Sequence, residues 1–132
     1  MVERQVVVPA AQKHVHDEWH IAPAVTAQGI MYCSGVLGDD EAGAIAPDPK
    51  EQYHQVFRNL GTLLGEAGAD YGNIVEILSF HVDLENQIML FSEVKDQYIK
   101  GPYPAWTAVE VAGLGAGAFP GALVEVKVTA LL

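Results

Sequence analysis

Glu125, His81, Cys33 and a group of N-terminal histidines are the side chains whose types could do acid–base, nucleophilic or metal chemistry. Glu125 lies in a β-branched run and shares one face of it with Leu123 and Lys127, because side chains alternate along a strand. A plain Glu–Lys pair on a half-exposed face is one reading. The other is a proton shuttle, since partial burial moves a carboxyl pKa up toward the useful range. His81 alternates with Ser79 and Asp83. By default it is a core histidine, and the sharper reading is an acid–base or ligand contact.

Cys33 in a strand is by default a small buried hydrophobe, with no neighbour in sequence that would lower its pKa. His14 and His16 would face the same way in an extended segment, but the spacing to His20 fits no strong zinc motif, so no metal and no cofactor is expected. A polar N-terminal loop that brings Trp19 or His20 to the rim of a cleft is the preferred reading of that cluster. No phosphate-binding loop, dinucleotide fingerprint or nucleophile elbow is present.

These residues need elements to hold them. Arg4–Val8 and Ile30–Val36 read as strands bounded by Pro9 and by turn residues, and 42–46 as a short strand closing a hairpin. From Pro49 the apolar period changes: Tyr53, Val56, Leu60, Leu63, Leu64 and Ala67 recur every three or four residues, as one face of a helix. Asp48 can cap it, Glu51 completes a capping-box spacing, and Gly68 suits its exit. Asn73–Leu84 reads as a strand buried on both faces, and Asn86–Lys100 as a second helix stopped by Gly101-Pro102. Pro104–Val111 and Gly121–Leu131 are two further strands, joined by a loop containing Gly113, Gly115 and Gly117.

The expected fold is α+β: one domain over residues 1–132 with a mixed sheet covered on one face by two helices. The other face, left apolar, calls for an oligomer. The length of 132 residues suits a single domain. A formal charge of −10, from 17 acidic and 7 basic residues, disfavours nucleic acid and anionic membranes as partners. One cysteine excludes an intrachain disulfide, and Met1-Val2-Glu3-Arg4 lacks the layout of a signal peptide, so a cytoplasmic protein is expected.

Several of these segments together resemble the RidA (YjgF) family: Tyr32-Cys33-Ser34-Gly35, Phe57-Arg58-Asn59-Leu60, Glu66-Ala67-Gly68-Ala69, Pro102-Tyr103-Pro104-Ala105 with Val109-Glu110-Val111, and Gly121-Ala122-Leu123-Val124-Glu125-Val126. The likeness runs through most of the chain in order. It implies the chorismate-mutase-like YjgF fold and a homotrimer with a small-molecule cleft at each subunit boundary. It also implies hydrolysis of reactive enamines and imines of amino acids, with release of ammonia. In typical members an Arg directly after the Pro-Ala pair grips the substrate carboxylate, and a Glu on the last strand positions a water.

Glu125 stands at that Glu position, and Trp106 stands where the Arg would be. Indole offers one N–H and a flat face where guanidinium offers a fixed charge and a donor fork. Ser92 falls at a position that often carries Asn, and Trp19-His20-Ile21 at the family's Gly-Pro-Tyr stretch. The resemblance thus makes Glu125 the catalytic candidate, with Trp106, Trp19, His20, Cys33, Ser34, Gly35, His81 and Ser92 as substrate-binding candidates. The expected function is a hydrolytic deaminase for a neutral or aromatic enamine or imine. The alternative is a trimer that binds a small molecule without chemistry. Endoribonuclease activity, attached to some members, is disfavoured by the charge.

Overall fold

The computed structural model describes residues 2–132. Six strands form one sheet: β1 (Gln5–Val7), β2 (Ala24–Ala27), β3 (Ile30–Cys33), β4 (Ile74–His81), β5 (Ala105–Glu110) and β6 (Val124–Leu131), in the order β1-β2-β3-β6-β4-β5. Neighbours pair antiparallel except β4 and β5. That parallel pair needs a crossover, which α3 (Leu84–Lys95) supplies. A short helix, α1 (Lys13–Trp19), precedes β2, and α2 (Pro49–Glu66) links β3 to β4.

The sequence explains α2 best. The Asp48 carboxylate accepts from the Glu51 N–H, Pro49 occupies the first turn, and Gly68 exits at φ +78°. Its buried stripe of Tyr53, Val56, Phe57, Leu60, Leu63 and Leu64 packs with Phe91 and Val94 of α3 on the face of the sheet that carries Met31, Ile77, Val124, Val126 and Val128. Each such large side chain withdrawn from water is worth about 1.5–3 kcal/mol. The opposite face is uncovered and exposes Val6, Tyr32, Val109 and Leu131.

Several sequence-based boundaries need correction. Residues 13–19, expected as loop, form α1, whose sequence lacks an apolar period; its end is set by His20 in the left-handed region at φ 58°. Strand β2 was not anticipated, because its only β-branched residues, Val25 and Thr26, make too short a run between two alanines to stand out, and it is held by pairing with β1 and β3. The expected 42–46 strand is reduced to one bridge, Asp39 to Ile45. Strand β3 stops at Cys33 and is rejoined to β6 only at Val36. Helix α3 starts two residues earlier than expected and ends at Lys95, after which the chain turns.

Candidate active site

The break between β3 and β6 at Ser34-Gly35 opens the site. There the chains separate before the Val36–Val126 bridge, and a concavity of about 460 Å³ lies against the break. Cys33, Ser34, Gly35 and Glu125 line it together with Gln12, Ile21, Pro23, Asp39, Phe119 and Lys127. The Ser34 hydroxyl donates to the Ala22 carbonyl at 2.7 Å, and the Ser34 N–H donates to Pro23 O at 2.9 Å. These bonds hold the wall carrying Ile21 and Pro23. On the other side, Asn59 of α2 donates to the carbonyls of Leu37 and Asp39, both at 2.9 Å, and fixes that wall.

Glu125 is half-buried on β6 and its carboxylate lies over Gly35, in space that a Cβ at position 35 would occupy. Burial pushes its carboxyl pKa up. No ion pair to Lys127 or any other cation is found for it among the described residues. Such a group holds a proton more readily than an ordinary carboxylate and has its oxygens free for water or ligand. Cys33 is buried, its sulfur accepts from the Val128 N–H at 3.1 Å, and burial raises the thiol pKa, so the thiolate that a nucleophile requires is disfavoured.

Trp106 and His81 lie on the opposite, helix-covered face. Trp106 is paired in register with buried Ile77, and its Nε1–H donates to Ser79 Oγ at 2.8 Å. The Lys95 ammonium sits 4.8 Å from the indole centroid and pairs with Asp96 at 2.8 Å. Ser79 Oγ is also 2.8 Å from His81 Nε2. With Oγ accepting from the indole, its own proton can go to Nε2, which leaves the imidazole proton on Nδ1, an atom without a partner. Burial lowers the His81 pKa to about 4 and keeps the ring neutral. Within one chain, therefore, Trp106 and Glu125 point away from each other.

Ser92 is half-buried on α3, and Trp19 and His20 are exposed at the end of α1; none of the three lines the concavity. The expected rim loop is a helix, and its neighbour Ile21 is the wall residue instead. His14 and His16 sit on that helix, and among the described residues no group of three or more His, Cys, Asp or Glu is placed to hold a metal ion. No helix among them is long and apolar enough to cross a membrane.

Comparison with known proteins then decides the family. Residues 14–132 match the family model described as Endoribonuclease L-PSP. The chain belongs to the RidA/YjgF family. It is 36% identical over 131 residues to the RutC family protein YjgH of Escherichia coli, covering 98% of this chain and 96% of that one. It is 31% identical over 96 residues to the human 2-iminobutanoate/2-iminopropanoate deaminase, 71% of this chain and 69% of that one. Among solved structures, protein YJGH superposes with a TM-score of 0.87 at 35% identity, covering 99% of this chain and 98% of that one. RidA from the Antarctic bacterium Psychrobacter superposes at 0.77 with 29% identity, covering 84% and 87%.

Sequence reasoning on this RidA-family chain missed Asp39, Phe119 and Lys127 as wall residues. Lys127 was legible from the strand period that places it beside Glu125. Asp39 and Phe119 arrive from loops, for which no periodicity exists, and only an aromatic residue in a stretch of small ones marks Phe119.

Proposed function

We propose that the chain is a hydrolytic deaminase for a small neutral or aromatic imine or enamine, working in clefts completed between copies of a homotrimer, with Glu125 as the base. The observation that carries this reading is the half-buried Glu125 carboxylate, free of any ion pair and seated over Gly35. In the reaction, Glu125 takes a proton from a water whose oxygen bonds to the imine carbon. It returns that proton to nitrogen to give the carbinolamine, then carries the hydroxyl proton to the same nitrogen as the carbonyl forms, the C–N bond breaks and ammonia leaves. The name of the human relative, 2-iminobutanoate/2-iminopropanoate deaminase, supports this class of chemistry.

A substrate without a carboxylate is favoured by Trp106 and by the two carboxyl groups, Asp39 and Glu125, that share the concavity with one cation, Lys127. The one N–H of the Trp106 indole is taken by Ser79, and the adjacent cation, Lys95, is paired with Asp96, so the position offers no free anion grip. Because Trp106 faces away from Glu125 in one chain, the second wall of the cleft comes from another copy, whose edge strand β5 carries its own Trp106. The uncovered sheet face favours such an assembly. A cleft that binds without hydrolysis is the second reading, and the same occupied indole favours it.

Ammonia release tests the choice. The wild-type chain accelerates hydrolysis of the imine freshly made by a flavin amine oxidase from 2-phenylethylamine, and Glu125→Gln loses about 100-fold or more of that rate. Equal rates in the two proteins exclude the hydrolase. Sedimentation giving a stable monomer at micromolar concentration excludes the shared cleft.

A further inference from the structure

The loop between β5 and β6 is built around one aromatic side chain. Gly115, Ala116 and Gly117 all have positive φ, at 62°, 51° and 83°, and Gly121 follows at 86°. This backbone folds the segment back on itself, so that a Cβ on Gly115 would come within 2.7 Å of Cδ2 of the Phe119 ring. The foot of the loop is clamped by Gln52 of α2, which is buried. Its amide donates to Gly121 O at 3.0 Å and accepts from Leu123 N at 2.6 Å. Two anchors thus fix a ring that is itself half-exposed and lines the same concavity as Glu125.

Of the aromatic residues in the chain, Phe119 is the one in that lining, alongside the apolar Ile21, Pro23 and Val36. The charged groups facing the same space are Asp39, Glu125 and Lys127. Burial raises the pKa of both carboxyls. A volume near 460 Å³ suits a small organic molecule.

We propose that Phe119 is the specificity-determining residue of this site, its ring packing against an aromatic group attached to the imine carbon while that carbon is held at Glu125. This rests on the hydrolase reading above and names its substrate class: an imine or enamine with an aromatic substituent and no carboxylate. An aromatic pair gains from offset or edge-to-face contact beyond the area it buries. The preference resides in the ring's position, which Gly115 permits, as much as in the ring itself.

The test uses phenylacetamide, a stable neutral aromatic probe with a carbonyl in place of the imine, and acetamide as its small counterpart, both by calorimetry on the full chain. Phe119→Ala weakens phenylacetamide binding about tenfold and changes acetamide binding by less than about twofold. Gly115→Ala, which keeps the ring and displaces it, has the same effect, and circular dichroism verifies that both variants are folded. Should either variant fail to fold, Phe119→Leu replaces it, with a smaller loss in the same direction. Wild-type and variant proteins that bind phenylacetamide equally, or a wild type that does not bind it, overturn the inference. Phenylacetamide binding that depends on Phe119, together with equal imine hydrolysis by wild type and Glu125→Gln, overturns the hydrolase reading and leaves Phe119 as the selector of a binding cleft.

Discussion

The carboxylate of Glu125 rests over the Cα of Gly35, in the space a methyl group at position 35 would fill. A side chain on β6 and a backbone position in the break that follows β3 therefore specify each other. Gly35→Ala needs no unusual backbone angle, since Gly35 is not among the residues with positive φ. The variant is expected to fold with a near-normal melting temperature while the carboxylate is driven aside. The expected result is a loss of imine hydrolysis approaching that of Glu125→Gln, and steady-state kinetics beside thermal unfolding checks it.

Burial holds the Glu125 carboxyl above the ordinary carboxylate range, which sets two signs. The base is the ionised form, so kcat/KM falls on acidification at a higher pH than for an exposed glutamate, and that limb is absent in Glu125→Gln. For stability, a folded-state pKa above the unfolded one favours the protonated form, so this contribution is lost as pH rises through the raised value. At neutral pH the ionised carboxylate is a net cost. Glu125→Gln is therefore expected to melt at a higher temperature than wild type, in a scan at pH 7.

Ser79 Oγ sits between the Trp106 indole and the His81 ring, at 2.8 Å from each. Trp106→Phe keeps an aromatic ring against Phe91 and removes the donor, at a cost of about 1–2 kcal/mol in urea unfolding. Trp106→Arg behaves differently, because it places a guanidinium beside the Lys95 ammonium that now caps the indole. Its destabilisation is expected to be larger and to be partly relieved by adding Lys95→Met. Equal stability of the single and double variants counts against that repulsion.

His81 is fully buried and its pKa is lowered from 6.5 to about 4 by burial. The unfolded chain takes up a proton in that interval and the folded chain does not, so stability falls as pH drops from 6.5 to about 4. The full effect is on the order of 3 kcal/mol. Because Asp39 and Glu125 titrate in the opposite sense, the contribution is read as the difference between wild type and His81→Gln, whose unfolding free energies should converge on acidification. A constant difference across that range contradicts a neutral, buried imidazole.

Much of the architecture was legible in the residues. The three- and four-residue spacing from Tyr53 to Leu64, with Asp48 and Pro49 before it and Gly68 after, determined α2, because helix periodicity and capping are local. The β-branched runs gave β4 and β6, and the ordered motifs from Tyr32 to Val126 gave the family and placed Cys33, Ser34, Gly35 and Glu125 as candidates. What the tertiary structure alone decided is which candidates meet. Trp106 and Glu125 lie on strands that are two apart in the sheet, and only the in-register pairing of β5 with β4 and of β4 with β6 shows that they face opposite sides. Register inverts the face of a strand with a slip of one residue, and no single strand's sequence records its partner. The walls at Asp39 and Phe119 likewise depend on loops held by Asn59 and Gln52, contacts between residues 20 to 71 positions apart, which local sequence pattern cannot report.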